Sequence, residues 1–326
     1  MNFTRTCGKH FFLANRATFP LKKSTSSLSN WKAKLINTNT IKSSIFPWLN
    51  RSHVAQLKPQ QLQLKQFHSS GQLQFIRISN YNYNRNYNTL KQALIFSGLF
   101  IVGTTVATPY IFQYTPLAYF NKHPSHLVYG LIGLNLAVFG LWQVPKYWRV
   151  LSRYALLEKD VLYSKWSIVG STFSHQEFWH FAINMLALYS FGTSLANMVG
   201  ASTFTQLYLN SGVVASLASI AYPIIFKIPI TAASLGASGS LFGVFATFAY
   251  LVPTAKIMVF VFPIPGGAWV AFLGSCIWNA AGCAMRWGSF DYAAHLGGSL
   301  AGVLYGWWIA KKVEEQRSKR LRAYRF

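Results

Sequence analysis

The chain has 326 residues, of which 52% are hydrophobic, 17% aromatic and only 11% charged. Soluble proteins carry about 25% charged residues, so this composition excludes an ordinary cytosolic globule, which must cover its surface with polar groups. Thirty Lys and Arg against six Asp and Glu give a formal charge of +24, and the three cysteines (Cys7, Cys276, Cys283) lack the Cys-x-x-Cys spacing of a zinc site or a disulfide framework. What remains is a basic, cysteine-poor membrane protein.

All six acids lie at or after Glu158, while residues 1–91 hold 14 Lys and Arg among many Ser, Thr, Asn and Gln. An acid-free start of this kind reads as a mitochondrial transit peptide over residues 1–75. The membrane potential draws such a segment inward by about 2.3 kcal/mol per charge per 100 mV. A nucleic-acid-binding arm is the rival reading of the charge run; the membrane character downstream weighs against nucleic acid as a partner. Residues 76–91 place Asn at every second position from Asn80 to Asn88, between Tyr81, Tyr83, Arg85 and Tyr87, and read as a disordered linker.

Charges then divide the chain into apolar blocks. Residues 92–114 form one span, added before a core at 123–310, and 127–144 form a second. Residues 146–165, with five Lys or Arg beside Tyr147, Trp148 and Trp166, read as an amphipathic interfacial segment. The 49 uncharged residues 178–226 make two spans, split near residue 200. A helix starting near Ser238 must end before Pro253. At about 15 residues it reaches roughly 22 Å, less than a hydrocarbon core of about 30 Å, so Ser238 is expected below one face, reached by non-helical chain. Residues 257–285 supply the next span, with a re-entrant turn at 262–267; residues 292–310 supply the last, before a basic tail at 311–326. The expectation is an all-α polytopic bundle of seven spans in the lipid bilayer, its termini on opposite sides.

Irregular backbone at membrane depth is tolerated only where protein or water surrounds it, and polar groups there are functional candidates. Gly236 and Gly239 flank Ser238, whose place at a helix start leaves unpaired amides nearby. Small residues of this kind are also ordinary helix-packing material. His295, Gly298, Gly302 and Gly306 form one helical stripe, and Gly239 with Gly243 forms a second. Two glycine faces allow close helix approach, which would bring the imidazole of His295 to the hydroxyl of Ser238. His180 and Asn184 share one face a turn apart, with His175 just before; such side chains can donate to an oxyanion or serve only as contacts between helices. No Cys, His and Asp cluster accompanies them, so no metal and no cofactor is expected.

The motifs His175-x4-His180-x3-Asn184, Gly236-Ala-Ser238-Gly239 with Gly243, and Ala294-His295-x2-Gly298-x3-Gly302 resemble those of the rhomboid family of intramembrane serine proteases, in order and spacing. The resemblance implies a six-helix core, here with one extra N-terminal transmembrane helix, as in mitochondrial inner-membrane members. It implies Ser238 as nucleophile, His295 as general base, Asn184 and His180 as oxyanion donors with the Ser238 amide, and His175 as a supporting loop residue. The implied substrates are single-span membrane proteins, including a dynamin-like fusion GTPase. Trp166 is followed by Ser167 where many bacterial members have Trp-Arg, and Phe242 stands where Tyr often packs on the histidine. A helix-binding relative without catalysis, or a transporter with broken helices, is the alternative. Asp291, one turn before His295, reads as a helix cap.

Overall fold

The computed structural model describes residues 83–230, 233–259, 262–288 and 290–323. The expected transit peptide, residues 1–75, and the first part of the linker lie outside the described residues.

The first helix, α1 (Tyr83–Tyr114), begins inside the stretch expected to be disordered linker. Tertiary contact overrides the low complexity here. Asn86 and Thr89 are buried, and the Thr89 hydroxyl donates to the Asp160 carbonyl at 3.2 Å. Along the rest of α1, Ala93 and Ser97 face protein while Leu94, Leu99, Val102 and Val106 are at least half exposed. An apolar exposed face of this length has lipid as its solvent. Two further helices, α2 (Pro124–Trp142) and the short α3 (Trp148–Tyr154), precede a loop, 155–166, and a single turn at Ser167–Gly170. The segment expected to be amphipathic is thus α-helical only over seven residues, following a 3-10 turn at Pro145–Tyr147.

α4 (Phe178–Ala187) runs into a π-helical stretch, Leu188–Gly192, and on into α5 (Thr193–Val199). Gly200, at φ +84°, breaks the chain at the expected place before α6 (Ala201–Ile225). α6 is the hub of the described fold: Phe204, Leu207, Tyr208, Val213 and Ile220 are fully buried on different sides of it. Non-helical chain then leads to α7 (Ser238–Leu251), which stops two residues before Pro253. Among the described residues, four helices are long and apolar enough to cross a membrane, α1 from Asn86, α2, α6 and α8 (Gly267–Ala284); α7 is apolar but short.

Two expectations need correction. Residues 257–259 and 262–264 are not helical: β1 (Ile257–Val259) pairs antiparallel with β2 (Phe262–Ile264), Ile257 opposite Ile264. Pro263 and Pro265 lack the N–H a helix needs, and Gly266 (φ +88°) and Gly267 (φ +79°) turn the chain, so the helix is confined to α8. The bundle therefore carries one small ribbon. The basic tail, in turn, continues the last helix, α9 (Tyr292–Ala323). Its sequence favours this: Lys, Arg, Glu and Gln are good helix formers, and Glu315 precedes Lys319 by four residues. Lys311 and Lys312 lie over the rings of Trp307 and Trp308 at 5.5 and 5.1 Å, as snorkelling cations do where a helix leaves apolar surroundings.

α6, α7 and α9 meet through small residues. A Cβ added to Gly298 would overlap the carbonyl oxygen of Gly239, and one on Gly302 that of Gly243. Gly239 faces Ala215 and Gly243 faces Ser211 on the α6 side, and the Thr247 hydroxyl donates to the Gly302 carbonyl at 2.8 Å. With no hydrophobic effect between helices in lipid, close van der Waals packing and such bonds hold the seam together.

Because the obstacle at Gly298 is backbone, no rotamer change can relieve a new side chain. Gly298→Leu is expected to destabilise by about 1–3 kcal/mol and to reduce labelling of Ser238 by a fluorophosphonate probe by about 10²-fold, the usual effect of a displacement near 1 Å. Melting curves and labelling rates on the same preparation check both. Wild-type labelling would mean that the helices do not meet at Gly298.

Candidate active site

The segment before α7 is held from both sides. Leu157 and Ser234 exchange backbone hydrogen bonds of 2.9 Å each, and the Gly236 amide donates to the Ser171 carbonyl at 2.9 Å. Gly236 adopts φ +128°, a conformation L-residues avoid, and a Cβ there would lie 2.7 Å from the His180 ring. His180 in turn packs edge-on against His175, ring centroids 5.0 Å apart. Nε2 of the fully buried His175 accepts from the Ala237 amide at 3.3 Å. Burial, helped by the neighbouring His180, pushes the His175 imidazole down to about 3, so it is neutral and able to accept. The glycine and the two histidines together shape the turn that delivers Ser238 to the start of α7.

The first backbone bond within α7 joins the Leu241 amide to the Ala237 carbonyl. The amides of Ser238, Gly239 and Ser240 precede that ladder, as at any helix N-terminus. Ser238 Oγ lies 2.9 Å from His295 Nε2. The imidazole stacks on Phe242, centroids 4.3 Å apart and planes 24° from parallel. Stacking at this position therefore does not need the tyrosine hydroxyl. Asn184 is buried on α4, and its Nδ2 donates to the His180 carbonyl at 2.7 Å, which leaves its second amide hydrogen.

One partner was missed from the sequence. Asn279, buried on α8, places Oδ1 2.8 Å from His295 Nδ1. Its orientation follows from a further contact: Asn279 Nδ2 donates to the Ser275 carbonyl at 2.8 Å. The amide nitrogen is thereby committed to the helix, and the oxygen faces the ring. His295 Nδ1 must then carry the proton and donate to Asn279, which leaves Nε2 as an acceptor for the Ser238 hydroxyl. The signal available in the sequence was a single amide side chain in the apolar helix GAWVAFLGSCIWNAAGCA; an intramembrane polar group of this kind has a partner to be found.

Asp291 does not take that third place. Its Oδ1 accepts from the Ala294 amide at 3.1 Å, capping α9 as expected. Oδ2 accepts from Lys159 Nζ at 2.9 Å, from Ser234 Oγ at 2.6 Å and from Ser219 Oγ. Burial alone would raise this carboxyl, but the Lys159 ammonium and the two hydroxyls outweigh it and hold it well below the usual carboxylate range. It is ionised at physiological pH.

The site thus brings together Ser238, His295, Phe242 and Asn279, and beside them His175, His180 and Gly236. Chemically it is a hydroxyl with an imidazole in the accepting tautomer, oriented by a third group, the arrangement of an activated nucleophile.

The sequence comparisons point the same way. Residues 163–312 match the family model of the rhomboid domain. Over 249 residues the chain is 58% identical to "Rhomboid protein 1, mitochondrial" of Saccharomyces cerevisiae, covering 76% of this chain and 72% of that protein. It is 36% identical over 184 residues to the rat "Presenilin-associated rhomboid-like protein, mitochondrial", covering 55% of this chain and 47% of that one. A chloroplastic relative, "Rhomboid-like protein 11" of Arabidopsis thaliana, is 27% identical over 201 residues, 59% of this chain and 69% of that one. The chain belongs to the rhomboid family of serine proteases, and within it is a homologue of the mitochondrial members.

Proposed function

We propose that this protein is an intramembrane serine endopeptidase of the mitochondrial inner membrane, with Ser238 as nucleophile and His295 as general base. The observation that carries the reading is the 2.9 Å contact from Ser238 Oγ to His295 Nε2, with Asn279 holding the ring in the accepting tautomer. His295 Nε2 removes the hydroxyl proton as Ser238 Oγ attacks a peptide carbonyl carbon. The tetrahedral oxyanion is met by the Ser238 amide and by His180 and Asn184. The imidazolium then protonates the leaving nitrogen, the C–N bond breaks, and an acyl-enzyme remains. Water, losing a proton to His295, attacks the ester; the carboxylic acid leaves and the Ser238 hydroxyl is restored.

Ser238 starts a 14-residue helix too short to cross from face to face, so the reaction lies within the membrane. The reading includes seven spans: the four long apolar helices, the run 178–199, α7, and the part of α9 up to residue 310. It also includes a transit peptide over residues 1–75. Substrates are single-span inner-membrane proteins, a dynamin-like fusion GTPase among them. A transmembrane helix hides its carbonyls in hydrogen bonds, so segments with helix-breaking Gly or Pro are preferred.

Ser238→Ala is expected to abolish cleavage of a labelled single-span substrate in proteoliposomes while the protein stays folded and inserted. Cleavage at the wild-type rate would remove Ser238 as nucleophile. Asn184→Ala is expected to bind substrate normally and turn it over more slowly, by up to about 10²–10³-fold, the effect of losing one oxyanion donor.

Asn279 separates orientation from packing. Asn279→Ala is expected to lower kcat by about 10–10²-fold, as loss of a group that orients a histidine does. Asn279→Asp keeps an oxygen facing Nδ1 and should retain most of the activity. Equal loss in the two variants would show that the acceptor oxygen is not what matters at this position.

A further inference from the structure

Asp291 makes more contacts than a helix cap requires. Ser, Asn or Asp caps a helix about equally well, and the bond from the Ala294 amide to Oδ1 already fulfils that task. The other oxygen, Oδ2, gathers Lys159 from the first loop, Ser219 from α6 and Ser234 from the segment before α7. Four separate parts of the chain therefore meet at one carboxylate. Lys159 and Asp291 form an ion pair at 2.9 Å, their side chains only 16% and 19% exposed. Removing a carboxylate from water is expensive unless its acceptor positions are filled, and those of Asp291 take three bonds besides the one from Lys159.

The position of this junction connects it to the chemistry. Ser234 lies four residues before Ser238, and Asp291 four residues before His295. The bond from Ser234 Oγ to Asp291 Oδ2 therefore joins the two backbones one step ahead of both reacting side chains. The first loop is locked in beside it: Leu157, fully buried, pairs with Ser234 through both backbone hydrogen bonds, and two residues later Lys159 reaches Asp291. The glycine seam fixes how closely α7 and α9 approach, and the Thr247 hydroxyl bonds across it deeper in the bundle, but the glycine faces near Ser238 and His295 offer few side chains to oppose sliding. A charged, multiply bonded carboxylate at the end of the seam opposes that sliding.

We propose that Asp291 and Lys159 are a positioning pair, which ties the first loop to the ends of α7 and α9 and so sets the distance between Ser238 and His295. The proposal rests on the reading of Ser238 and His295 as the reacting pair. Neither member of the pair touches the reacting atoms.

Asp291→Asn keeps an oxygen for the Ala294 amide and removes the charge; Lys159→Met keeps the stem of the side chain and removes the ammonium. Each is expected to slow fluorophosphonate labelling of Ser238 about tenfold per folded molecule. In substrate cleavage, kcat should fall by a similar factor with KM unchanged. The double variant should be no more than about twofold worse than either single one, because both break the same contact. Lys159→Arg should restore the wild-type rate. Should Asp291→Asn fail to fold, Lys159→Met, altered only at its partly exposed end, carries the same comparison with Lys159→Arg.

Wild-type labelling and kcat in Lys159→Met would overturn the proposal. So would losses that multiply in the double variant, or a loss in labelling that merely tracks the folded fraction. Ser238→Ala, run alongside, separates the two levels. If wild-type protein is labelled no faster than Ser238→Ala, it is the assignment of Ser238 that fails, whereas a labelled wild type with indifferent Lys159 variants refutes only the positioning role.

Discussion

The structure depends on one contact that leaves no room for side chains: the backbone of α9 at Gly298 and Gly302 lies against the backbone of α7 at Gly239 and Gly243. In a bilayer, helices gain little by burying apolar surface against one another, because lipid is as apolar as leucine. Close approach must instead be built from atoms that fit, and glycine is the residue that allows two carbonyl-bearing backbones to touch. At that separation a serine on the first turn of one helix and a histidine on the first turn of the other are within a hydrogen bond. Larger residues would keep every helix and lose the pair.

Around His295 the polar groups are bonded in series, and the direction of each bond decides the next. Ser275 offers a carbonyl to Asn279, which fixes the amide, which fixes the His295 tautomer, which leaves Nε2 free to accept from Ser238. At the turn before α7, His175 is kept neutral by burial and its Nε2 accepts from the Ala237 amide. Unmet donors in such surroundings cost several kcal/mol. The series therefore stabilises the fold and orients the site at once.

Much of this was legible in the residues. Gly200, Pro253 and the charges at Lys91, Lys122 and Lys227 act as punctuation, so the break before α6 and the shortness of α7 followed from elementary rules. The glycine stripes announced the α7–α9 seam because their spacing lies within single helices. Asn279 was not legible in the same way. Its partner lies on another helix, and no spacing along the chain encodes a contact between α8 and α9. The pairing of β1 with β2 was hidden by the hydrophobicity of these residues, which matches a span as well as a strand. The helix start at Tyr83 goes with the tertiary contacts of Asn86 and Thr89, and the helix end at Ala323 with a run of good helix formers, which composition alone read as linker and tail.

The departures from the bacterial pattern acquire a physical meaning in this arrangement. Trp166 turns its ring toward the added helix and packs edge-on against Phe96 and Phe100, centroids 5.5 and 6.5 Å away. Ser167 closes its own loop by donating to the Ser164 carbonyl at 2.7 Å. Other residues also hold this loop: Thr89 of α1 bonds the Asp160 carbonyl, and Leu157 pairs with Ser234. Deeper in the bundle, Thr104 donates to Asn210 of α6 at 2.7 Å, and Asn210 donates to the Tyr305 hydroxyl of α9 at 2.7 Å. The Gln206 amide also reaches the Thr105 carbonyl at 3.2 Å. Amide bonds of this kind are sheltered from water and from competing partners. The extra helix is thus bonded at two depths, to the first loop through Thr89 and to α6, whose Asn210 passes the connection on to the helix that carries His295. A segment held this way is part of the core's own packing rather than a tether that precedes it.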